Sequence, residues 1–332
     1  MFFTMFKMLK LDKKDQQILF ELDRDSRQSI NGIAKKTKLS RDVVAYRIKQ
    51  LEKNKIINGY FALIDFTKLG YQAIRLYLKL KNTTKELDEE IISHFLKEKD
   101  VFTIYGTDGK FDLALGFLVK DLNVYQKVYE NFLKKYRHYI VENDFSILTE
   151  YHHYPRNYLV EKKKFNDSVL STGSYQKYSA DEKDLQLLKE ISEYSRITLL
   201  ELAKKLKMTA TGVKYKLKNL EKSKVIVAYK LLLDIKKLGY EYYKVDLELE
   251  DINIISSLNQ FIVQHPNVIY RDLAVGGSDF EFDCELKSQE DFYKLINEIK
   301  SLFPGKIRNY FYYKALKIYK YDYFPESLLQ KT

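Results

Sequence analysis

Apolar residues recur at helical spacing in one stretch near the start of the chain. Val44, Ile48 and Leu51 are separated by four and three positions, which places them on one face of a helix. Ser40 precedes this run, and its hydroxyl is suited to accept a hydrogen bond from a free N–H of the first helical turn. The pattern predicts two short helices around a tight turn, with the second helix running from about Ser40 to Lys53.

The same pattern occurs a second time, 169 positions later. Residues 12–71 align with residues 181–240 without a gap, and 27 of these 60 positions are identical. Identity at this level over an ungapped segment indicates an internal repeat. Each copy is predicted to form three helices followed by a short extended segment, at residues 59–65 and 228–234.

The residues after each three-helix unit alternate between strand and helix patterns. The first copy predicts strands at 72–81, 101–105, 111–119 and 139–151, with helices at 85–99 and 123–136. The second copy repeats this order between residues 242 and 321. A β-α-β-β-α-β order is that of ferredoxin-like domains, in which helices cover one face of an antiparallel sheet. The predicted fold class is therefore α+β, with two winged helix–turn–helix domains and two ferredoxin-like domains in tandem, at residues 8–58, 59–156, 179–227 and 228–326, and a linker at 157–178.

Composition adds two constraints to this prediction. The 332 residues carry a formal net charge of +11, from 57 Lys and Arg against 46 Asp and Glu, which favours polyanionic partners such as nucleic acid. Cys284 is the only cysteine, which excludes an intrachain disulfide or a cysteine-based metal cluster and fits a reducing cytosol. The first twelve residues are too short and too interrupted by lysine for a signal peptide or a membrane span. We therefore expect a cytoplasmic protein without a membrane partner.

The motif residues of the first copy resemble the Lrp/AsnC (feast/famine) family of transcription regulators. The resemblance rests on Leu11-Asp12, Asp15, Ile18-Leu19, Ser26-Arg27, Ala34, Leu39-Ser40, Val44, Arg47-Ile48, Leu51-Glu52, Ile56-Ile57 and Gly59-Tyr60, and on the turn Tyr105–Asp112, which resembles the Gly-x-x-Asp loop of that family's regulatory domain. It covers nearly the whole chain, twice. Members of that family usually carry one such unit per chain and dimerise, so the tandem arrangement is a departure. The resemblance implies a sequence-specific regulator that binds double-stranded DNA as an intramolecular pseudo-dimer, and it leaves further homo-oligomerisation open.

Two sets of polar residues are the candidates for DNA contact, because Arg and Lys suit phosphate oxygens and guanine edges. The alternative is that they are the solvated faces of an ordinary helical hairpin. In the second copy Ala210 and Lys216 replace Arg41 and Arg47. We therefore predict that the second recognition helix binds DNA more weakly and that the DNA site is asymmetric. The candidates are Lys35, Lys36, Ser40, Arg41, Asp42, Ala45, Tyr46, Arg47 and Lys49 in copy one, and Lys204, Lys205, Thr209, Thr211, Lys214, Tyr215, Lys216 and Lys218 in copy two.

The resemblance also implies binding of a small effector, such as an amino acid, at two glycine-bearing turns where the regulatory domains meet. Backbone N–H groups there suit a carboxylate, and an aspartate suits an amino group. The alternative is a plain β-turn that requires positive φ at glycine. The candidate effector residues are Gly106, Thr107, Asp108, Gly109 and Asp112 in copy one, and Gly276, Gly277, Ser278 and Asp279 in copy two.

Nothing in the sequence predicts catalysis. It contains no nucleophile elbow, P-loop or HExxH motif, and no catalytic residue, metal site or cofactor is predicted. One enzymatic branch of the same superfamily, the sirohaem decarboxylases, also occurs as fused tandems and remains the alternative. Those enzymes carry a Tyr-Asn-Leu-Trp-Phe-like stretch, whereas this chain has no tryptophan and reads Phe111-Asp112-Leu113-Ala114 there.

Overall fold

A computed structural model describes residues 11–160, 169–173 and 176–329, without the side chains of 326 and 327. The first copy forms α1 (Lys13–Arg24), α2 (Ile30–Thr37), α3 (Arg41–Lys53), β1 (Ile57–Ile64), β2 (Gln72–Leu80), α4 (Lys85–Leu96), β3 (Val101–Gly109), β4 (Leu113–Val119), α5 (Leu122–Tyr136) and β5 (Ile140–His153). A short strand, β6 (Leu170–Thr172), lies between the copies. The second copy forms α6 (Glu182–Glu193), α7 (Leu199–Leu206), α8 (Ala210–Lys222), β7 (Ile226–Leu233), β8 (Glu241–Leu249), α9 (Ile255–Gln264), β9 (Val268–Val275), β10 (Phe280–Leu286), α10 (Gln289–Leu302) and β11 (Ile307–Tyr321).

Side-chain caps explain where the helices of the winged units begin. The Asp12 carboxylate accepts from the backbone N–H of Asp15, whose own carboxylate accepts from the N–H of Asp12, and the second copy repeats this capping box. The Ser40 hydroxyl caps α3, which confirms the predicted start of that helix. Lys38 adopts a left-handed conformation (φ 55°) at the end of α2 and makes the tight turn before α3.

The two winged units exchange their connecting strands. β1 and β7 pair antiparallel as a two-stranded sheet. Leu231 and Leu233 of β7 pack in the core of the first winged unit, while Ala62 and Ile64 of β1 pack in the core of the second. Each unit therefore completes its hydrophobic core with a strand from the other copy, and burying that apolar surface stabilises the pair.

The two ferredoxin-like units close into one barrel. The strand order is β2-β4-β3-β11-β8-β10-β9-β5, and β5 also pairs with β2, which joins the ends of the sheet. Closure depends on the two long strands: β5 pairs with β2 and then with β9, and β11 pairs with β8 and then with β3. Helices α4 and α5 pack on one half of the barrel and α9 and α10 on the other, each pair over its own apolar core.

The segment predicted as a linker is packed at both of its described ends. Leu159 lies in the core of the first winged unit, and β6 extends the barrel sheet by pairing with β5. The linker over 157–178 stays a prediction, and residues 161–168 and 174–175 lie outside the described residues. Apolar side chains such as Leu159 pack here because they gain from burial. No helix of the described ranges is both long and apolar enough to cross a membrane.

Candidate DNA-binding interface

Helices α3 and α8 each bury one apolar stripe and present the opposite face to solvent. Val44, Ile48 and Leu51 of α3 are buried in the first winged unit. On the outer faces, Tyr46 is 64% exposed and Tyr215, its counterpart in α8, is 67% exposed. Large aromatic side chains gain from burial, so two exposed tyrosines at matched positions are available to a partner.

Half of the ten predicted cations lie on this outer surface without an ion pair within the described residues. Arg41 has a side chain that is 67% exposed and lies 3.7 Å from the exposed carboxylate of Asp42. Where α8 begins, Thr209 uses its hydroxyl as the helix cap and Thr211 is exposed. Within the described ranges, no ion pair engages five of the exposed lysines, namely Lys35, Lys49, Lys204, Lys214 and Lys218.

Arg47 and Lys216 form ion pairs within their own winged units, and the DNA contacts predicted for them stay predictions. Arg47 Nη1 lies 2.8 Å from Asp12 Oδ2 and 2.7 Å from Asp15 Oδ1, at the start of α1. Hydrogen bonds to Asp15 and Asp12 raise the pKa of Arg47 despite its partial burial. Lys216 repeats the contact in copy two, on the capping aspartates of α6. Each side chain therefore links the recognition helix to the first helix of its own unit. The change from Arg47 to Lys216 is thus no evidence that copy two binds DNA more weakly.

Two further predicted phosphate contacts are engaged in ion pairs. Lys36 Nζ lies 2.8 Å from Glu21 Oε2, and Lys205 Nζ lies 2.5 Å from Glu190 Oε2. These lysines remain half exposed, and surface pairs of this kind are worth about 1 kcal/mol or less. The differences between the copies that remain on the outer face are therefore Arg41 against Ala210, Asp42 against Thr211 and Ala45 against Lys214.

A pseudo-twofold seam joins the two winged units. The Ser26 and Ser195 hydroxyls, 169 positions apart, form a fully buried hydrogen bond of 2.9 Å. Around it the contacts run in both directions: Arg196 Nη1 donates to the Ser26 carbonyl at 2.6 Å, and Arg27 donates to the Ser195 carbonyl. The Ser26 N–H donates to the carbonyl of Tyr229 at 2.9 Å. The reciprocal pattern is that of an isologous dimer interface built within one chain.

The seam is also connected to the recognition helices. The Tyr60 hydroxyl donates to Glu52 in α3 at 2.6 Å, and the Tyr229 hydroxyl donates to Glu221 in α8 at the same distance. Burial raises the pKa of both tyrosines, so they stay protonated donors at neutral pH. The spacing of the two recognition helices is thus fixed through hydrogen-bonded, buried groups. The tyrosine and the glutamate are identical in the two copies, and the sequence alone indicated no role for them.

The predicted effector turns lie where the long strands of the opposite copy cross. Gly109 has φ +125°, and a Cβ there would come within 2.3 Å of the Tyr312 carbonyl, so the close approach of β11 requires glycine. Asp112 accepts from the Leu80 N–H at 2.7 Å and lies 2.8 Å from Lys79 Nζ. Asp279 accepts from the Leu249 N–H at 2.7 Å. Both aspartates have structural partners, and effector binding at these turns stays a prediction.

Sequence reasoning missed a set of charged residues inside the barrel. Glu281, Asp283 and Glu285 alternate along β10 with apolar residues and are at most 3% exposed. Arg75 and Lys244 face the same interior and are also buried. The signal was present in the alternation Phe-Glu-Phe-Asp-Cys-Glu-Leu, which would normally mean one solvated face. Within the described residues, no group of His, Cys, Asp and Glu has the arrangement of a metal site.

Comparison with known proteins decides the family. A model described as winged helix-turn-helix DNA-binding matches residues 11–58 and 181–227. The Bkd operon transcriptional regulator of Pseudomonas aeruginosa is 31% identical over 127 residues, which are 38% of this chain and 83% of that protein. The chain belongs to the Lrp/AsnC family of DNA-binding transcriptional regulators. The HTH-type transcriptional regulator Ptr1 of Methanocaldococcus jannaschii is 30% identical over 34% of this chain and 74% of its own length.

The whole tandem arrangement has a counterpart among solved structures. The sirohaem decarboxylase NirDL superposes with a TM-score of 0.64 over 96% of both chains, at 14% sequence identity. At that identity the likeness is one of fold. This Lrp/AsnC chain and that enzyme therefore share an architecture of two winged units and two ferredoxin-like units.

Proposed function

We propose that this Lrp/AsnC protein is a single-chain regulator that reads one DNA site with two unequal helices and performs no catalysis. The observation that supports this is the pseudo-twofold seam, because it holds α3 and α8 in a reciprocal arrangement. Helix–turn–helix dimers place their recognition helices in major grooves about one helical turn apart, or a multiple of it. Exposed lysines on both helices would supply the phosphate contacts.

The two half-sites should differ in sequence. Arg41 begins α3, where an arginine can donate two hydrogen bonds to a guanine edge, while Ala210 at the matched position can offer only an apolar contact. The remaining outer residues also differ, with Ala45 and Asp42 against Lys214 and Thr211. We therefore expect the chain to select an asymmetric site from randomised duplex DNA.

Removing the arginine at position 41, or introducing one at the matched position 210, tests this proposal. R41A should weaken binding to the selected site about 10- to 100-fold, the usual range for losing one good base contact. A210R should raise affinity for a symmetric duplex carrying two copies of the first half-site. R308A, an exposed arginine on the barrel, is the control and should leave both affinities unchanged. Fluorescence anisotropy at several salt concentrations would measure the affinities, which should fall steeply with salt. A symmetric selected site, or a flat salt dependence, would contradict the proposal.

A sirohaem decarboxylase is the second candidate function, because NirDL shares the fold over nearly the whole chain. The barrel interior weighs against it. Buried carboxylates outnumber buried cations there, whereas sirohaem itself carries several carboxylate groups, and like charges repel. Titration of the purified protein with iron-uroporphyrin III should therefore leave the absorbance spectrum of the tetrapyrrole unchanged. A saturable 1:1 spectral shift would favour the enzyme.

A further inference from the structure

A cavity of about 260 Å³ lies inside the closed barrel. Strands of both copies line it, and most of the large lining side chains are tyrosines. At one end β1 closes it, where the Phe61 ring stacks on Tyr323 with 3.9 Å between centroids. The wall tyrosines include Tyr77, Tyr105, Tyr151, Tyr242, Tyr270 and Tyr313.

The two copies contribute opposite chemistry to this cavity. Leu113 pairs with Leu78 in copy one, and Phe280 pairs with Leu247 in copy two, so β4 and β10 occupy matching positions. By that register, Ala114 and Gly116 of β4 correspond to Glu281 and Asp283 of β10. At these two positions copy one therefore has small side chains where copy two has carboxylates, and of the two carboxylates Asp283 lines the cavity.

The buried cations of the barrel are already committed to carboxylates. Arg75 Nη1 lies 2.6 Å from both Asp272 Oδ2 and Glu281 Oε2. Lys244 Nζ lies 2.6 Å from the same Asp272 oxygen and 2.8 Å from the same Glu281 oxygen. Each cation thus already has two carboxylate partners, whereas hydroxyl donors remain at the wall, among them that of Tyr313, which has no hydrogen-bond partner within the described residues.

Acceptors also remain available at the cavity wall. Asp283 is 2% exposed; its Oδ2 accepts from the Tyr242 hydroxyl, and its Oδ1 lies 3.6 Å from Lys244 Nζ. Within the described part of the chain, neither Asp283 Oδ1 nor Asp272 Oδ1 has a hydrogen-bond partner. Both ring nitrogens of His153, which lines the cavity and is 5% exposed, also lack a partner, and in a neutral imidazole one of them donates and the other accepts. Unsatisfied buried polar atoms are costly, so the two carboxylate oxygens favour a ligand that donates hydrogen bonds.

We propose that this cavity binds a small organic cation, whose ammonium group donates to Asp283 and Asp272 while its hydrocarbon part packs on the tyrosine rings. Two features favour a cation: carboxylate oxygens without donors, and an aromatic wall, since ring faces attract positive charge. The volume corresponds to about nine non-hydrogen atoms, taking about 30 Å³ for each as for liquid water. Simple amines such as tyramine, agmatine and cadaverine are in this size range.

The site adjoins the two glycine turns but differs from them in chemistry. Thr107 of the first turn lines the cavity, and the Ser278 N–H of the second turn donates to Glu281. The cavity requires an amine, without needing the carboxylate of an amino acid. Because β1 both closes the cavity and pairs with β7, an occupant would contact the same strand that joins the winged units. Binding of the amine itself does not depend on DNA, so it can be tested independently of the function proposed above.

Calorimetric titration of the full-length chain at pH 8 tests the proposal. Burial raises the pKa of Asp283 to about 7, so its carboxyl is mostly ionised at this pH while alkyl amines remain protonated. The probes are tyramine, agmatine and cadaverine. The matched controls are 4-ethylphenol, which lacks the amine of tyramine, and 3-(4-hydroxyphenyl)propionate, which replaces it with a carboxylate. At least one amine should bind 1:1, and neither control should bind.

Substitutions in and near the cavity wall test whether the amine binds there. D283N should weaken amine binding about tenfold or more, because it removes a charged acceptor while keeping the side-chain shape. D246N is the matched control: Asp246 is buried in the same charged cluster, lies 3.7 Å from Lys244, and does not line the cavity. It should leave affinity within about twofold. A315L should block binding by filling the space, and thermal unfolding would confirm that each variant folds. No binding by any amine, equal binding of the carboxylate analogue, or equal losses in D283N and D246N would overturn the proposal.

Discussion

At the scale of single residues, the buried Ser26–Ser195 hydrogen bond is the centre of the contact between the two copies. Each hydroxyl is fully buried, and each residue also accepts an arginine hydrogen bond on its carbonyl. A buried hydroxyl that loses its partner retains its desolvation cost, whereas removal of both hydroxyls leaves no unsatisfied group. The pair is therefore energetically coupled.

A double-mutant cycle makes this coupling measurable. S26A and S195A should each lower the free energy of unfolding by about 1–2 kcal/mol, because each leaves one buried hydroxyl unpaired. S26A/S195A should cost less than the sum of the two, by about 1 kcal/mol. Urea unfolding monitored by circular dichroism would give the values. S26A combined with S288A, a cap of α10, should be additive, and additivity in the S26A/S195A pair would show that the hydrogen bond contributes nothing specific.

Residue roles were predictable only where they depend on local sequence. Ser40 as a helix cap follows from its place before an apolar run, and the structure confirms it. Arg47 was predicted to contact DNA because the local sequence shows only that it lies on α3. Its acidic partners lie 35 and 32 positions earlier, and no periodicity reveals which side of a helix such distant residues will cover.

At the scale of elements, the strand and helix positions in both copies follow the hydrophobic pattern closely. Strand β2 and helix α5, for example, each lie within one residue of the predicted bounds of 72–81 and 123–136. The hydrophobic pattern did not predict which strands pair with each other. β11 is 15 residues long, and its second half pairs with β3, more than 200 positions earlier. The one indication in the sequence was the length of β5 and β11, because each is longer than pairing within a single ferredoxin-like unit requires.

The buried acids of β10 show a second limit of prediction from pattern. Alternating polar and apolar positions normally mark a strand with one face in water. In a closed barrel the second face is enclosed, so Asp283 and Glu285 are buried although the pattern is that of a half-exposed strand. Closure must be known before the polar face of such a strand can be identified as a cavity wall.

At the scale of the whole molecule, the barrel encloses more carboxylates than cations, and this links global stability to pH. Arg75 and Lys244 face Asp246, Asp272, Glu281 and Asp283. Desolvation raises the pKa of Asp283 to about 7 and that of Asp246 to about 6, although Lys244 opposes both shifts. Desolvation would likewise raise the pKa of Glu281, but Lys244 and Arg75 outweigh it and lower that pKa to about 2. Asp283 and Asp246 are therefore the carboxyls of this cluster that bind a proton first as the pH falls.

The pH dependence of stability should therefore change when Asp283 is neutralised. An acid whose pKa is higher in the folded than in the unfolded chain binds more protons when folded between about pH 4 and 7, so the free energy of unfolding falls as pH rises through this window. D283N removes that contribution: it should match the parent protein near pH 4 and exceed it at pH 8 by on the order of 1 kcal/mol or more. Urea unfolding at both pH values would measure the difference, with D42N, an exposed change on α3, as a control that should leave the pH dependence unaltered. If D283N lost stability equally at both pH values, the buried carboxylate would be a net stabilising partner of Lys244 and not the locus of excess charge in the barrel.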